Sequence, residues 1–418
     1  MNETRRTIAG GILLVGAATM LANGASYLLS MFAARWMSVP QYGGLGALLS
    51  ISIIGGTLAL GVQAVGARRV AAHRAAGGGV SAEEERSAVL ALGLRLTAVV
   101  AVGGLAVSWP LAVLLDVPVP AVVLTFLAVA ASVTGFGALG LVQGDERHRH
   151  YGSAYATIGF LRAAGGVVAL AIRPEVTSAC VGILAGTLAG TVAAILIAGP
   201  SRPRRRLTAQ LGREFAATTG SLIALYALSN TDLLLARSFL DGDASGEYAL
   251  GSLVAKIAFF LPYAVITVFF PKMSAGTLRH AFELAVGASA AIGAVATIGT
   301  AVLGGPLVWL IGGDKYAGFA ALAWLFALEG SLFAILQVIL YAGFSSRGRS
   351  LGILTACALV VQVVVVSFWV HQSVAAIVAC TCVIAASLVV IGIVVELRRT
   401  RRRDASAERP GLVGSPRQ

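Results

Sequence analysis

What most constrains this chain is the recurrence, a dozen times in 418 residues, of apolar stretches about as long as a bilayer core is thick. A hydrocarbon core of about 30 Å takes about 20 residues of α-helix. By that ruler spans lie near 8–34, 42–67, 87–113, 119–142, 152–172 and 177–199. Six more lie near 215–239, 247–270, 281–311, 317–343, 350–370 and 374–396. The breaks Asp116-Val117-Pro118-Val119-Pro120 and His371-Gln372-Ser373 carry turn chemistry and divide what would otherwise read as overlong helices. Composition agrees: 57% of residues are hydrophobic and 12% charged, with a mean hydropathy of +0.86. Globular chains carry about 25% charged residues. An ordinary soluble enzyme, a disordered scaffold and a small disulfide framework are therefore excluded. The 50 glycines suit helices that pack closely in lipid.

The net charge of +12 suggests a nucleic-acid surface until the charges are placed. Of 31 basic residues, 24 fall in the segments on one side of the twelve spans. They include Arg68, Arg69, Arg74, Arg86, Arg147, Arg213 and the run after Arg398. By the positive-inside rule that side is cytoplasmic and holds both termini. The charge marks orientation, and no nucleic-acid partner is expected. Arg5 and Arg6 before an apolar run imitate a secretory signal, but the run continues to Ala34 and reads as an uncleaved first helix.

The sequence divides into an N-terminal six-helix lobe (1–199), a basic linker (200–214), a C-terminal six-helix lobe (215–397) and a disordered basic tail (398–418). No loop is long enough to fold into a catalytic domain. Cys180, Cys357, Cys380 and Cys382 lack metal spacing, and the five histidines sit in loops. Neither an enzyme nor a cofactor is expected.

The first hairpins of the two halves correspond. Asn23 is followed by Tyr42 after Met37-Ser38-Val39-Pro40-Gln41, and Asn230 by Tyr248 after Asp243-Ala244-Ser245-Gly246-Glu247. With the 6+6 count and the polar midpoint this indicates parallel repeats, whose interface is where transporters place substrate. Three motifs, Pro40-Gln41-Tyr42-Gly43, Asn230-Thr231-Asp232 and Gly246-Glu247-Tyr248-Ala249, precede a helix ending Phe270-Pro271-Lys272. In these the chain resembles bacterial polysaccharide-precursor flippases of the multidrug/oligosaccharidyl-lipid/polysaccharide (MOP) exporter superfamily. That resemblance implies an all-α fold of two lobes around a central cavity, working by alternating access in the bacterial cytoplasmic membrane. It implies a polyprenyl-diphosphate-linked oligosaccharide as cargo, moved from inner to outer leaflet. It also implies glycosyltransferases or a polysaccharide polymerase as partners.

Charges inside spans are costly, at roughly 2.5–3.5 kcal/mol each on insertion scales, so they mark cavities or partners. Arg162 lies near the midplane of span five, Arg95 within span three and Arg35 at the end of span one. The first half has no acidic residue inside a span. Guanidinium binds phosphate in planar, bidentate fashion, which makes these arginines candidates for a diphosphate headgroup. Arg35 and Arg95 are equally able to snorkel or to bond a carbonyl. Tyr155, Gly159 and Arg162 share a helix face. Thr19, Asn23, Ser26, Tyr27 and Ser30 form a polar stripe on span one that lines either a cavity or a helix interface. In the second half Lys256 shares a face with Tyr263 and Thr267, at a depth that suits a pair with Asp232. Glu329, at the middle of span ten, is a candidate coupling site, a partner of Lys256, or a carboxyl bonded to a hydroxyl. Pro262 and Pro306 are candidate bending points. Two further function classes stay open: a cation-coupled exporter of small molecules on the same fold, and a non-catalytic membrane partner of a glycan assembly complex.

Overall fold

The computed structural model describes residues 2–75, 80–199, 209–262, 278–345 and 350–407, and every regular element among them is helical. The helices are α1 Asn2–Trp36, α2 Val39–Ala75, α3 Val80–Leu114, α4 Val119–Gly144, α5 His148–Ile172 and α6 Val176–Ala198. The second set is α7 Ala209–Phe239, α8 Gly242–Phe260, α9 Leu278–Gly312, α10 Ala323–Ser345, α11 Ser350–Phe368 and α12 Val374–Ala407. A bilayer offers the backbone no hydrogen bonds, so a spanning chain satisfies its peptide groups within helices. Among the described residues, nine helical stretches are long and apolar enough to cross a membrane. The other three helices, α1, α7 and α8, contribute polar residues to the interior.

The twelve helices match the twelve spans read from the sequence, with differences at the ends. The expected linker is already helical from Ala209, and α12 continues to Ala407 through a segment expected to be disordered. Five arginines and two alanines make up most of residues 398–407 and favour helix once it is nucleated. The start of span ten is a 3-10 stretch, Asp314–Leu322. Tyr263, Thr267, the Phe270-Pro271-Lys272 motif, residues 200–208 and residues 408–418 lie outside the described residues.

Both predicted turns are present. Asp116, at φ 46°, ends α3 in the left-handed conformation, with Val117 N–H donating to Ala112 O and Asp116 N–H to Val113 O. This 6→1 and 5→2 pair satisfies the last carbonyls of the helix. Pro118 then caps α4. α9 kinks at Leu303, three residues before Pro306, whose ring removes a backbone donor.

Within the first half α5 packs on α1 and α6, and α4 on α2, α3 and α6; within the second, α10 packs on α8, α9 and α12, and α7 on α11. The α5–α6 contact is backbone on backbone. A Cβ on Gly182 would stand 2.1 Å from Gly165 O, and one on Gly186 2.0 Å from Leu161 O. Gly182, Gly186 and Gly190 form the small-residue row that permits this approach.

The halves meet chiefly through α2, which packs on both α7 and α8. The turns near 36–39, 114–119, 239–242 and 312–314 define one end of the molecule, here the far end; the other end carries the termini. At the far end the two corresponding hairpins touch each other. A Cβ on Gly246 would lie 2.1 Å from Val39 O, and one on Gly43 2.8 Å from Ser245 Oγ. Tyr42 and Tyr248 are fully buried beside this contact.

Arg237 of α7 fastens the far end. Its Nε donates to Leu115 O at 2.7 Å, Nη2 to Asp116 O at 2.7 Å, and Nη1 to Pro40 O at 3.3 Å and Ser245 Oγ at 2.9 Å. The ion pair with the Asp116 carboxylate, at 3.3 Å, adds little, because that side chain is 96% exposed. Two more cations cross between halves to main-chain acceptors. Arg35 donates to Trp309 O and Leu310 O near the end of α9, and Lys315 to Arg35 O and Met37 O. At the other end an ionic brace replaces the carbonyls. Arg69 of α2 binds Glu85 at 2.7 Å and Glu214 of α7 at 3.1 Å, with Arg68 adding a contact to Glu214 at 3.3 Å.

Replacing Arg237 by Met leaves three carbonyls of the first half without their donor. The purified protein should lose about 2–4 kcal/mol of stability, read as a lower thermal midpoint. Asp116→Asn should change the midpoint by less than about 0.5 kcal/mol. An unchanged midpoint in Arg237→Met would remove the fastening role. The Glu214 carboxyl is held below the usual carboxylate range, first by its hydrogen bond from Arg69. A depressed folded pKa stabilises above the unfolded value, about 4.3, and that contribution is lost as pH falls through the folded value. Thermal midpoints measured from pH 6 down to pH 3 should therefore fall less steeply in Glu214→Gln than in the parent. Parallel curves would contradict the brace.

Candidate functional site

Between the halves, at mid-depth, lies a cavity with about 1050 Å³ of empty space, counting the solvent it opens to. The first half contributes Asn23, Ser26, Tyr27 and Ser30 from α1, Leu49 and Ile53 from α2, and Arg162 from α5. The second contributes Tyr226, Ser229 and Asn230 from α7, Ser252, Lys256, Phe259 and Phe260 from α8, and Glu329 and Phe333 from α10. A second cavity of about 680 Å³ lies inside the first half and includes Tyr155, Gly159, Ser52 and Ser132. Asn23, Ser26 and Arg162 belong to both linings, so the Arg162 guanidinium stands in the partition between two chambers.

The local reasons are plain. Asn23, Ser26, Tyr27 and Ser30 follow helical spacing on α1, and α1 packs on α5 while barely touching α2, which leaves that face open. Ser26 and Ser30 donate to the carbonyls of Ala22 and Ser26 within their own helix, so their remaining lone pairs face the space as acceptors. The backbone at Arg162 is fixed against Gly186 of α6. Among the described residues Arg162 forms neither a hydrogen bond nor an ion pair.

Arg35, Arg95, the Asp232–Lys256 pair and Thr19 take positions other than the cavity or the pairing considered for them. Arg35 does not reach the cavity: it caps the α9 carbonyls at the far end and lies over the Trp309 ring at 5.7 Å. Helix-end carbonyls of the other half satisfy it, the carbonyl alternative left open for Arg35; which helix supplies them is not visible in the sequence. Arg95 is exposed on the flank of α3 and lines neither cavity. Asp232 and Lys256 form no ion pair within 4.0 Å. Asp232 Oδ2 instead accepts from the Tyr248 hydroxyl at 2.8 Å, and Lys256 Nζ lies 3.5 Å from Ser50 Oγ of α2. Thr19, the first residue of the α1 stripe, also falls outside the cavity lining.

Asp232 is buried behind the lining, close enough to Glu329 for the two carboxyl groups to interact. Glu329 reaches the cavity, and its Oε2 is buried without a hydrogen-bond partner, as are Asp232 Oδ1 and Asn230 Oδ1. Tyr27 Oη donates to Lys256 O at 3.3 Å and so links α1 to α8 across the cavity. The site therefore offers two cations on opposite walls, one carboxylate, and a rim of oxygen acceptors. The sequence reading passed over Tyr226, Phe259, Phe260 and Phe333; their signal was a spacing of three or four residues from Asn230, Lys256 and Glu329.

Comparison with solved structures decides the fold. An inward-facing multidrug resistance MATE transporter of the MOP superfamily superposes with a TM-score of 0.70 at 12% identity, covering 91% of this chain and 94% of that one. The lipid II flippase MurJ, in an inward closed conformation, gives 0.74 at 11% identity, covering 93% and 87%. This is the fold of the MOP superfamily transporters. A MOP superfamily transporter from Pyrococcus furiosus, described as having a binding pocket of reversed polarity, gives 0.55 at 12% identity, with 96% of both chains covered. No family model and no curated protein matches the sequence. The neighbours thus include exporters and a flippase, and the fold by itself does not choose between their substrates.

Proposed function

We propose that this protein is a flippase, passing a polyprenyl-diphosphate-linked oligosaccharide from the cytoplasmic to the outer leaflet of a bacterial cytoplasmic membrane by alternating access. The observation that carries this reading is Arg162: a guanidinium in a cavity wall at mid-depth, with no protein partner among the described residues. An arginine stays protonated, so an anion of the cargo is the natural counter-charge, and a diphosphate matches its planar donors. Lys256 on the facing wall gives the headgroup a second cation, so that the anion binds both halves. Asn23, Ser26 and Tyr27 provide the polar path beside it.

On this reading the moving bodies are residues 1–199 and 215–397, joined by 200–214, with both termini on the Arg-rich cytoplasmic side. The polyprenyl chain stays in lipid. Loosening the Arg237, Arg35 and Lys315 contacts opens the far end, and loosening the Arg69–Glu214 brace opens the other. Glu329, with Asp232 behind it, is the candidate coupling group: adjacent buried carboxyls repel, and a proton or a monovalent cation relieves the repulsion. That same carboxylate favours the second reading, a cation-coupled exporter of small molecules. Against it stand the two cations in the lining and the absence of an acidic residue from the first half's share of the lining.

Arg162→Ala should fail to complement a flippase-null strain by at least about 100-fold in surviving colonies, the scale of losing a charge-assisted bidentate contact. Membrane-extracted protein should remain at parental levels with an unchanged thermal midpoint. Full complementation by a well-expressed Arg162→Ala would end the headgroup role.

A further inference from the structure

The second-half wall repeats one pattern on three helices. On α7, Asn230 is preceded one turn earlier by Tyr226; on α8, Lys256 is followed by Phe259 and Phe260; on α10, Glu329 is followed by Phe333. Because α7 runs opposite to α8 and α10, each aromatic lies on the same side of its polar neighbour, toward the end that carries the termini. The rings contact one another: Tyr226–Phe259 centroids are 6.1 Å apart, Phe259–Phe260 5.0 Å, and Tyr27 of α1 stands 6.3 Å from Phe260. The result is a layer of aromatic faces beside a layer of polar groups.

Hydrogen-bond accounting shows what that polar layer lacks. The Asn230 amide N–H groups are spent on Tyr226 O at 2.9 Å and Ser229 Oγ at 3.1 Å, which also fixes the amide orientation. The Ser229 hydroxyl donates to Tyr226 O. Asn230 Oδ1 remains without a donor on a side chain 3% exposed, and Glu329 Oε2 has no donor outside the neighbouring Asp232 carboxyl, with which the Glu329 side chain interacts. Buried acceptors left unmet cost free energy, so the wall is complementary to a ligand that brings hydroxyl or N–H donors. An aromatic layer selects a ligand with an apolar C–H face. Lys256 in the same wall and Arg162 opposite disfavour a cationic ligand. A neutral ring with donors around its edge and C–H bonds on its face is a pyranose.

We propose that the α7–α8–α10 wall is a sugar-ring subsite. Asn230 and Glu329 accept hydrogen bonds from ring hydroxyl or acetamido N–H groups, while Tyr226 and Phe259 pack against the C–H face. The subsite rests on the flippase reading for the origin of its sugar, and it places the first sugar ring in the second half while the diphosphate spans Arg162 and Lys256.

The test is equilibrium binding to the purified full-length protein in lipid nanodiscs, with three probes: undecaprenyl diphosphate, undecaprenyl-diphosphate-linked N-acetylglucosamine, and ethidium. The parent should bind the sugar-bearing probe about tenfold more tightly than the bare diphosphate, the equivalent of one or two hydrogen bonds. Phe259→Leu and Asn230→Ala should remove that advantage and leave the bare diphosphate within about twofold of the parent. Arg162→Ala should weaken both lipid probes. Tyr226→Leu replaces Phe259→Leu if the latter is not monodisperse. Equal binding of the two lipid probes by the parent, or a parallel loss of both in Phe259→Leu, overturns the subsite while leaving the headgroup reading intact. Failure of the parent to bind either lipid probe overturns both. Ethidium bound more tightly than the sugar probe, and lost in Phe259→Leu, makes the wall a cation site and overturns the proposal.

Discussion

A hydrocarbon layer supplies no hydrogen bonds, so every donor and acceptor in this protein must be met by the protein itself or by what it carries. That constraint organises the structure. It forces twelve helices, and it makes the few charged side chains within the helices informative through their partners. Arg237, Arg35 and Lys315 are met by main-chain carbonyls at helix ends of the opposite half, which turns a solvation requirement into the far-end fastening. Arg69, near the other end, is met by carboxylates. Arg162 is met by nothing in the protein among the described residues and faces the cavity. The same rule thus separates the cations that hold the halves together from Arg162, which faces the cavity.

The chemistry of the two closures differs in a way that matters for a moving protein. The far-end contacts are charge on neutral carbonyl, so they are insensitive to the protonation of a carboxyl group. The ionic brace at the other end depends on Glu214 staying charged. A cavity between two such closures can be opened at either end by exchanging one set of contacts for water, without unfolding a helix. α1 makes this possible: it packs on α5, leaves α2 almost free, and presents its polar stripe to the space between halves.

Much of the fold was legible in the sequence because hydropathy and helix length are local properties. The twelve spans, both proline- or serine-marked turns and the depth of Arg162 follow from residues within one helix. The correspondence of the first hairpins was also readable, but not that Gly43 and Gly246 bring those hairpins into contact. What failed were inferences about pairing. Asp232 and Lys256 lie near enough to feel each other's charge but form no ion pair, and Tyr248 holds the carboxylate instead. For Arg35 and Arg95 the sequence left a headgroup role and a snorkelling or carbonyl-bonding role open, and the structure puts one on α9 carbonyls and the other on an outer flank. The partners of Arg237 at Pro40, Leu115 and Asp116 are main-chain oxygens, which no side-chain pattern reveals.

The central claim is that the space between the halves carries a lipid-linked anionic sugar rather than a small cation. Reconstitution into liposomes tests it most directly, by following the leaflet of a fluorescent undecaprenyl-diphosphate-linked sugar with a membrane-impermeant quencher, and ethidium movement in parallel vesicles. The account predicts that the quenched fraction of the lipid-linked sugar equilibrates between leaflets only in vesicles containing the protein, while ethidium movement matches empty vesicles. Protein-dependent ethidium transport with no change in the lipid-linked sugar would contradict it.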